Sequence, residues 1–262
     1  SLKQLQAYLQ GSSGDYAAVA RDAAAAVAAA ERAGQKPAEA DLLRLADAQQ
    51  RTNSPGQLGT LEKLVASYPK KDYWAAYLPR LPRKSGFADR YALDVLRLKL
   101  ASGTLTRTDD YMEMAQLALQ AGYPAEAKQV VERGFAAGAL GTGAEAERHE
   151  RLRKLALKDA AEAAAAIAAR ATDAAAAKDG NALVHVGFAY VTMGEVDQGL
   201  ALIEQGIAKG GLKRPDEARL RLGMAQQHSA KAKPKAAATL RGVQGNDGSA
   251  EIARAWVILG AT

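Results

Sequence analysis

The chain has 262 residues, of which 48% are hydrophobic, 5% aromatic and 24% charged, and its formal net charge is +6. A hydrophobic fraction of this size is typical of globular proteins and excludes a chain that is disordered throughout. The absence of cysteine excludes disulfides, zinc–thiolate sites, iron–sulfur clusters and thiol catalysis.

Alanine dominates the hydrophobic residues, with 61 occurrences in the chain. It has the highest helix propensity and a very small side chain, so it favours helices that pack at short separation. A strand-rich fold would need many more β-branched and aromatic residues. The composition therefore predicts an all-α fold.

The predicted elements in the N-terminal part begin with a turn at Gly14–Tyr16, followed by a helix over 17–30. Residues 38–70 show the apolar spacing of a helical hairpin. A third hairpin is expected over 72–103, and Pro79 and Pro82 interrupt it.

Short turns separate paired helices in the rest of the chain, and such turns imply antiparallel hairpins. Residues 144–179 contain many alanines and few large side chains, so either an irregular hairpin or one long helix is expected there. The predicted helices on either side of that segment cover 110–120, 125–137, 181–193, 196–209, 215–229, 234–242 and 249–259.

A small residue recurs at equivalent places in these hairpins. Gly187 and Gly223 are 36 residues apart, and Ala115 precedes Gly187 by twice that number. Small residues at a helix crossing let two backbones approach, and large neighbours fill the remaining space.

This pattern resembles the tetratricopeptide repeat, a helix–turn–helix unit of 34 residues, most clearly over 108–246. The resemblance implies an all-α, right-handed superhelix (an α-solenoid) of about seven hairpins in one domain over 1–262, closed by a capping helix. The implied hairpins are 1–34, 38–70, 72–103, 108–141, 144–179, 180–213 and 215–246, and the cap is 249–260.

The resemblance also implies a function. Arrays of this family bind a peptide or helix of a partner protein in the concave groove formed by the first helix of each hairpin. Carried over to this sequence, the groove residues are Met112, Gln116, Leu119, Gln120, Asn181, Val184, Phe188, Val191, Leu220, Met224, Gln227 and His228. This reading makes the protein a non-enzymatic scaffold or adaptor with no cofactor and no bound metal.

Motifs that would indicate catalysis are weak. Residues Gly141–Ala146 match a loose dinucleotide-binding pattern, but a predicted helix precedes them where that motif requires a strand, so a loop is expected. His149 lies in a charged run and is expected on a solvated helix face. His185 and His228 lie on separate hairpins without the spacing of a metal site, and an enzyme of unrecognised type is the less favoured class.

Two basic stretches support an alternative. Residues 68–107 and 212–241 each carry an excess of six positive charges. They indicate binding of nucleic acid or of an acidic partner, with Arg80, Arg83 and Lys84 as the candidate basic patch beside the proline-rich bend. Trp74 and Tyr77 are expected in the core of the third hairpin.

A narrower resemblance, over residues 73–123, is to proteobacterial tetratricopeptide proteins associated with the cell envelope. It implies a bacterial scaffold in the periplasm or outside the cell, and the absence of cysteine leaves a cytoplasmic location open. The chain begins at Ser1 rather than Met, as expected if a leader had been removed. No membrane span is expected, because every apolar run is too short.

Overall fold

A computed structural model describes residues 14–261 of the protein. The chain divides into two compact units, of which the first ends at Arg83 and the second spans Lys84–Ala261. The described residues form thirteen α-helices and two short 3-10 helices and contain no strand, which confirms the all-α prediction.

Unit 1 contains four α-helices and one 3-10 helix, and its core includes Leu42, Leu64, Trp74 and Tyr77. The two aromatic residues are buried, as predicted. The elements are α1 (Tyr16–Arg32), α2 (Glu39–Arg51), α3 (Gln57–Ser67), α4 (Lys71–Tyr77) and the 3-10 helix Leu78–Arg83. The first part of the hairpin predicted at 1–34 lies outside the described residues.

The proline-rich bend forms the 3-10 helix that ends unit 1, and it buries Leu78 and Leu81 completely. Proline cannot donate the backbone hydrogen bond that would extend α4 regularly. The two halves of the segment predicted as a third hairpin, 72–103, therefore fall in different units.

Unit 2 contains nine α-helices, which follow a 3-10 helix at Asp89–Tyr91. Helix α13 packs against α5, so the last helix of the unit meets the first. The helices are α5 (Ala92–Ala101), α6 (Thr108–Gln120), α7 (Pro124–Ala136), α8 (Ala146–Ala176), α9 (Asn181–Thr192), α10 (Val196–Lys209), α11 (Pro215–His228), α12 (Lys233–Arg241) and α13 (Ser249–Gly260).

Helix α8 settles the alternative that the sequence left open for 144–179, because this segment forms one helix of 31 residues. Leu152, Ala156 and Ala160 of its first half are buried against the rest of the unit. Beyond Ala160, only Ile167 and Ala174 are buried, so the second half of α8 is covered along a narrow strip.

Helices α9 and α10 approach each other through glycines. A Cβ atom added to Gly187 would lie 2.8 Å from the carbonyl oxygen of Gly199 and 2.9 Å from the backbone nitrogen of Ile203. Gly206 makes a similar approach to the backbone of Gly180. The small residue that the sequence pattern places at a helix crossing thus stands where two backbones touch.

We expect Gly187→Ala to lower the free energy of unfolding by about 1–3 kcal/mol, because the added methyl group overlaps the backbone of α10. The matched control is Gly59→Ala in α3, where a Cβ meets nothing within 4 Å. Removal of a helical glycine there should stabilise the protein by about 0.5–1 kcal/mol. Urea unfolding followed by circular dichroism measures both changes, and equal stabilisation by both variants would contradict the close crossing.

Candidate functional site

Helix α5 is enclosed by its neighbours, since the six consecutive residues Leu93–Leu98 are all buried. A helix that is buried on every side is normally apolar throughout. Asp94 and Arg97 break this rule, so each of them needs a buried partner.

The partners come from α7 and α11. Both carboxylate oxygens of Asp94 accept hydrogen bonds from the guanidinium of Arg221, and Oδ1 also accepts from Nη1 of Arg97 at 3.0 Å. Nε and Nη2 of Arg97 donate to the two carboxylate oxygens of Glu126, each at 2.7 Å. The result is an ion cluster of Glu126, Arg97, Asp94 and Arg221, in which Asp94 has no exposed surface, and Glu217 Oε1 lies 3.7 Å from Nη2 of Arg221 at its edge.

Aromatic rings border this ion cluster. The ring centroid of Phe188 lies 5.0 Å from the guanidinium carbon of Arg97 and 5.2 Å from that of Arg221. The Tyr123 ring lies 5.4 Å from the guanidinium carbon of Arg97 and packs edge-on against Phe188. The electron-rich ring faces attract desolvated cations, so Phe188 and Tyr123 add to the stabilisation that the carboxylates provide.

The cluster keeps its charges. Burial alone would raise the pKa of Asp94, but the adjacent guanidiniums of Arg221 and Arg97 outweigh burial and hold this pKa below its ordinary value. Burial alone would lower the pKa of Arg97. The bidentate ion pair with Glu126 outweighs burial and raises this pKa above its ordinary value. Asp94 is therefore ionised at neutral pH, and its charge depends on its partners.

Replacement of Asp94 by Asn should lower the free energy of unfolding at pH 7 by about 3–5 kcal/mol, because two guanidiniums would face each other without their shared carboxylate. The folded pKa of Asp94 is depressed, so its contribution is present above the unfolded pKa and is lost as the pH falls through the folded value. The difference in the free energy of unfolding between wild type and Asp94→Asn should therefore become smaller below about pH 4.

The control is Asp109→Asn, which removes an exposed ion pair with Arg107 and should cost less than about 1 kcal/mol. Urea unfolding at several pH values measures all three proteins. If Asp94→Asn lowered the free energy of unfolding no more than Asp109→Asn, the ion cluster would not stabilise the fold.

A pocket of about 470 Å³ lies beside the ion cluster, which is within the usual size range of ligand sites. Side chains from α5, α6, α7, α9, α10, α11 and α13 surround it. Most of its walls are apolar, and the larger apolar residues are Leu100, Met114, Phe188, Val191, Met224 and Trp256.

Polar groups mark one wall and the rim of this pocket. Glu126, Gln129 and Arg133 repeat along one face of α7, and Arg97 binds the first of them. Gln129 Nε2 donates a hydrogen bond of 2.8 Å to the carbonyl oxygen of Thr192, which joins α7 to the end of α9. The pocket therefore has a charge-paired inner end and an outer end that includes Arg133.

In the structure, the twelve predicted groove residues fall into three groups: four that line the pocket, three that are buried elsewhere, and five others. Phe188, Val191, Met224 and His228 come together as lining of the pocket. The second group consists of Met112, Val184 and Leu220, which are buried but are not part of the pocket lining.

The other five predicted groove residues lie outside the pocket. Gln116 and Gln120 are exposed and Leu119 is half-buried. The Asn181 side chain binds the backbone at Gly211 and Lys213, and Gln227 donates to the carbonyl oxygen of Trp256, so these two amides already have backbone partners.

A second cavity, of about 300 Å³, also borders the ion cluster and is lined by Gln120, Tyr123 and His185. The His185 ring stacks on Tyr123 at a centroid distance of 4.9 Å, and its Nε2 lies 2.8 Å from the carbonyl oxygen of Ala121. His185 is thus held by local partners.

His149 contradicts its prediction as part of a solvated helix face. It is buried, and its Nδ1 accepts a hydrogen bond of 3.1 Å from the backbone nitrogen of Gly141. His149 lies three and seven residues before Leu152 and Ala156, which places all three on the buried face of α8. The loop expected at Gly141–Ala146 is present over 141–145, with Ala146 as the first residue of α8, and His149 holds the first residue of the loop.

The predicted basic patch falls in both units. In unit 1, Arg80 donates to the carbonyl oxygen of Ala76 and to the side chains of Gln50 and Gln57, whereas Arg83 is exposed. In unit 2, Lys84 pairs with Glu251.

Sequence reasoning missed the ion cluster. Asp94 and Arg97 are three residues apart and lie between leucines, and Arg221 also lies between two leucines. Opposite charges within an apolar helical run could have indicated a buried ion pair. However, a spacing of three residues is also common for exposed ion pairs, so the sequence alone did not show that these charges are buried.

Within residues 14–261, no three His, Cys, Asp or Glu side chains are arranged to hold a metal ion. None of the helices in this range combines the length and hydropathy that a membrane crossing requires. Comparison with protein-family models, with curated proteins and with solved structures finds no match to this chain.

Proposed function

We propose that this protein is a non-enzymatic binding scaffold of the tetratricopeptide type, in which the hairpins α6–α7, α9–α10 and α11–α12 are repeats of a right-handed superhelix. The narrower sequence resemblance supports a bacterial protein that acts in the periplasm or outside the cell. The ligand is a segment of a partner protein.

The observation that carries this proposal is the convergence of Phe188, Val191, Met224 and His228 on one pocket. These residues come from two different hairpins, and the repeat pattern assigns all of them to the binding face. Met112, Val184 and Leu220, which the pattern assigns to the same face, are buried inside unit 2, so we place the partner segment at the pocket.

Binding there would rest on apolar burial. Phe188 and Met224 are each only 4% exposed and form firm walls, whereas Val191 is half-buried. A large apolar side chain of the partner would lose water-accessible surface against these walls, at about 25 cal/mol per Å². The ion cluster supports the walls from behind, since Arg97 and Arg221 both contact Phe188.

A second candidate function, nucleic-acid binding, is favoured by three exposed lysines between α11 and the first turns of α12. Lys231, Lys233 and Lys235 make no ion pair with any residue in the described range. Such binding would weaken steeply with salt, because each neutralised phosphate releases counterions.

The pocket is tested by selecting binders for the full-length chain from a displayed library of random 12-residue peptides. We expect Val191→Arg to lower the affinity for the selected peptides at least tenfold. The longer side chain would occupy part of the pocket and place a charge against its apolar walls. The control, Leu43→Arg, adds the same side chain at an exposed leucine of α2 and should change affinity less than twofold.

Binding is measured by fluorescence anisotropy, and circular dichroism shows that both variants fold. The proposal would be wrong if the two variants bound the selected peptides equally well. Selection of no peptide, together with tight binding of a single-stranded oligonucleotide that is lost at high salt, would favour the second candidate instead.

A further inference from the structure

The second cavity contains polar groups whose hydrogen-bonding capacity the protein does not use. Tyr123 lines this cavity and is only 7% exposed, but its hydroxyl makes no hydrogen bond to any residue in the described range. Burial raises the pKa of Tyr123, so the hydroxyl keeps its proton at neutral pH and can both donate and accept. A buried polar group without a partner is unfavourable, and a bound molecule that pairs with this hydroxyl would remove that cost.

His185 adds an acceptor to the same cavity. Its Nε2 lies 2.8 Å from the carbonyl oxygen of Ala121, and because a carbonyl oxygen only accepts, Nε2 carries a proton and donates. In the neutral imidazole, Nδ1 then has no proton and can accept. It has no hydrogen-bond donor among the residues that the structure describes. The stacked rings of His185 and Tyr123 therefore bring two unused polar atoms to one cavity.

The carboxylate of Glu217 is the third unused group of this cavity. The guanidiniums of Arg90, Arg214 and Arg221 surround it, with nitrogen–oxygen distances of 3.7, 3.8 and 3.7 Å. Each of these distances is too long for a hydrogen bond. Oε2 of Glu217 is buried and has no hydrogen-bond partner. Glu217 is thus attracted by its cationic neighbours but keeps its capacity to accept hydrogen bonds.

The charges that line the second cavity are balanced, with three carboxylates and three guanidiniums. They belong to Asp89, Asp94, Glu217, Arg90, Arg97 and Arg221. Each of the three guanidiniums already pairs with a carboxylate, namely that of Asp247, Glu126 or Asp94. A bound anion would therefore meet carboxylates without finding an unpaired cation, and a bound cation would meet guanidiniums. A neutral molecule with hydrogen-bonding groups avoids both kinds of like-charge contact.

The size and the remaining walls of the cavity restrict the ligand further. The volume of about 300 Å³ is at the lower end of the range for ligand sites. Ala92, Leu93, Leu117 and Ala121 add apolar surface to the polar lining. A small carbon skeleton that carries several hydroxyls suits this lining. Its C–H groups can contact the apolar residues, and each hydroxyl can donate one hydrogen bond and accept others.

We propose that the second cavity binds a neutral polyhydroxyl molecule, of the class that includes monosaccharides and acyclic polyols. Its hydroxyls pair with the hydroxyl of Tyr123, Nδ1 of His185 and the carboxylate of Glu217. The exposed side-chain amide of Gln120 supplies a further donor and acceptor. Arg97 is the one residue that lines both this cavity and the pocket proposed for the partner segment, so the two sites bind different molecules at different places.

The test screens the full chain by saturation-transfer difference NMR against neutral pentoses, hexoses, hexitols and inositol. Isothermal titration calorimetry then measures the affinity for each molecule that binds. We expect at least one member of the panel to bind with a dissociation constant of about 1 mM or below. Analogues in which a carboxylate or an ammonium replaces one hydroxyl should bind at least about tenfold more weakly, because they meet like charges in the lining.

Two variants locate the bound molecule. Tyr123→Phe removes one hydroxyl and should lower the affinity about three- to tenfold, as for one neutral hydrogen bond. The matched control is Tyr111→Phe, because Tyr111 is also 7% exposed and also lacks a hydrogen-bond partner in the described range but does not line the cavity. It should change the affinity less than about twofold. Ala121→Leu fills part of the cavity and should lower the affinity at least about tenfold.

Circular dichroism shows whether the variants fold, and Ala121→Leu decides the location if Tyr123→Phe does not. The inference would be overturned if no member of the panel bound. A molecule whose affinity was unchanged in Tyr123→Phe or in Ala121→Leu would bind elsewhere, which would also contradict it. Tighter binding of a charged analogue than of its neutral parent would show that the cavity is an ion site and would equally exclude the proposed ligand class.

Discussion

The burial of two opposite charges on α5 is the constraint on which the rest of unit 2 depends. Asp94 and Arg97 can enter the interior only if α7 and α11 supply Glu126 and Arg221 at hydrogen-bonding distance. Hydrophobic contacts tolerate small shifts of a helix, whereas bidentate ion pairs have strict geometry. The cluster therefore fixes both the position and the rotation of α5 among its neighbours, including α9 through Phe188.

This arrangement also explains the form of the pocket. Arg97 faces Glu126 and Phe188, so one residue of α5 ends the cavity with a neutralised charge rather than a free one. The remaining walls come from helices that the cluster already holds in place. An apolar site is thereby assembled from seven helices.

The sequence allowed much of the local structure to be predicted, because helix periodicity, turn residues and a glycine such as Gly187 act over short distances. The burial of α5 could not be predicted in the same way. Arg221 is 127 residues from Asp94, and a pair three residues apart such as Asp94 and Arg97 is usual on exposed helices. His149 was missed for a similar reason, since charged neighbours obscured the buried face of α8.

Helix α8 has a consequence for local stability. Its first half is anchored by Leu152 and Ala156, but its second half depends mainly on helix propensity, with Ile167 and Ala174 as the buried contacts. Its backbone hydrogen bonds can break there with little loss of buried surface. Amide hydrogens between residues 161 and 176 should therefore exchange with solvent through local opening of α8. The amides of α5 exchange only when the whole unit unfolds, so their exchange has a much higher free-energy cost.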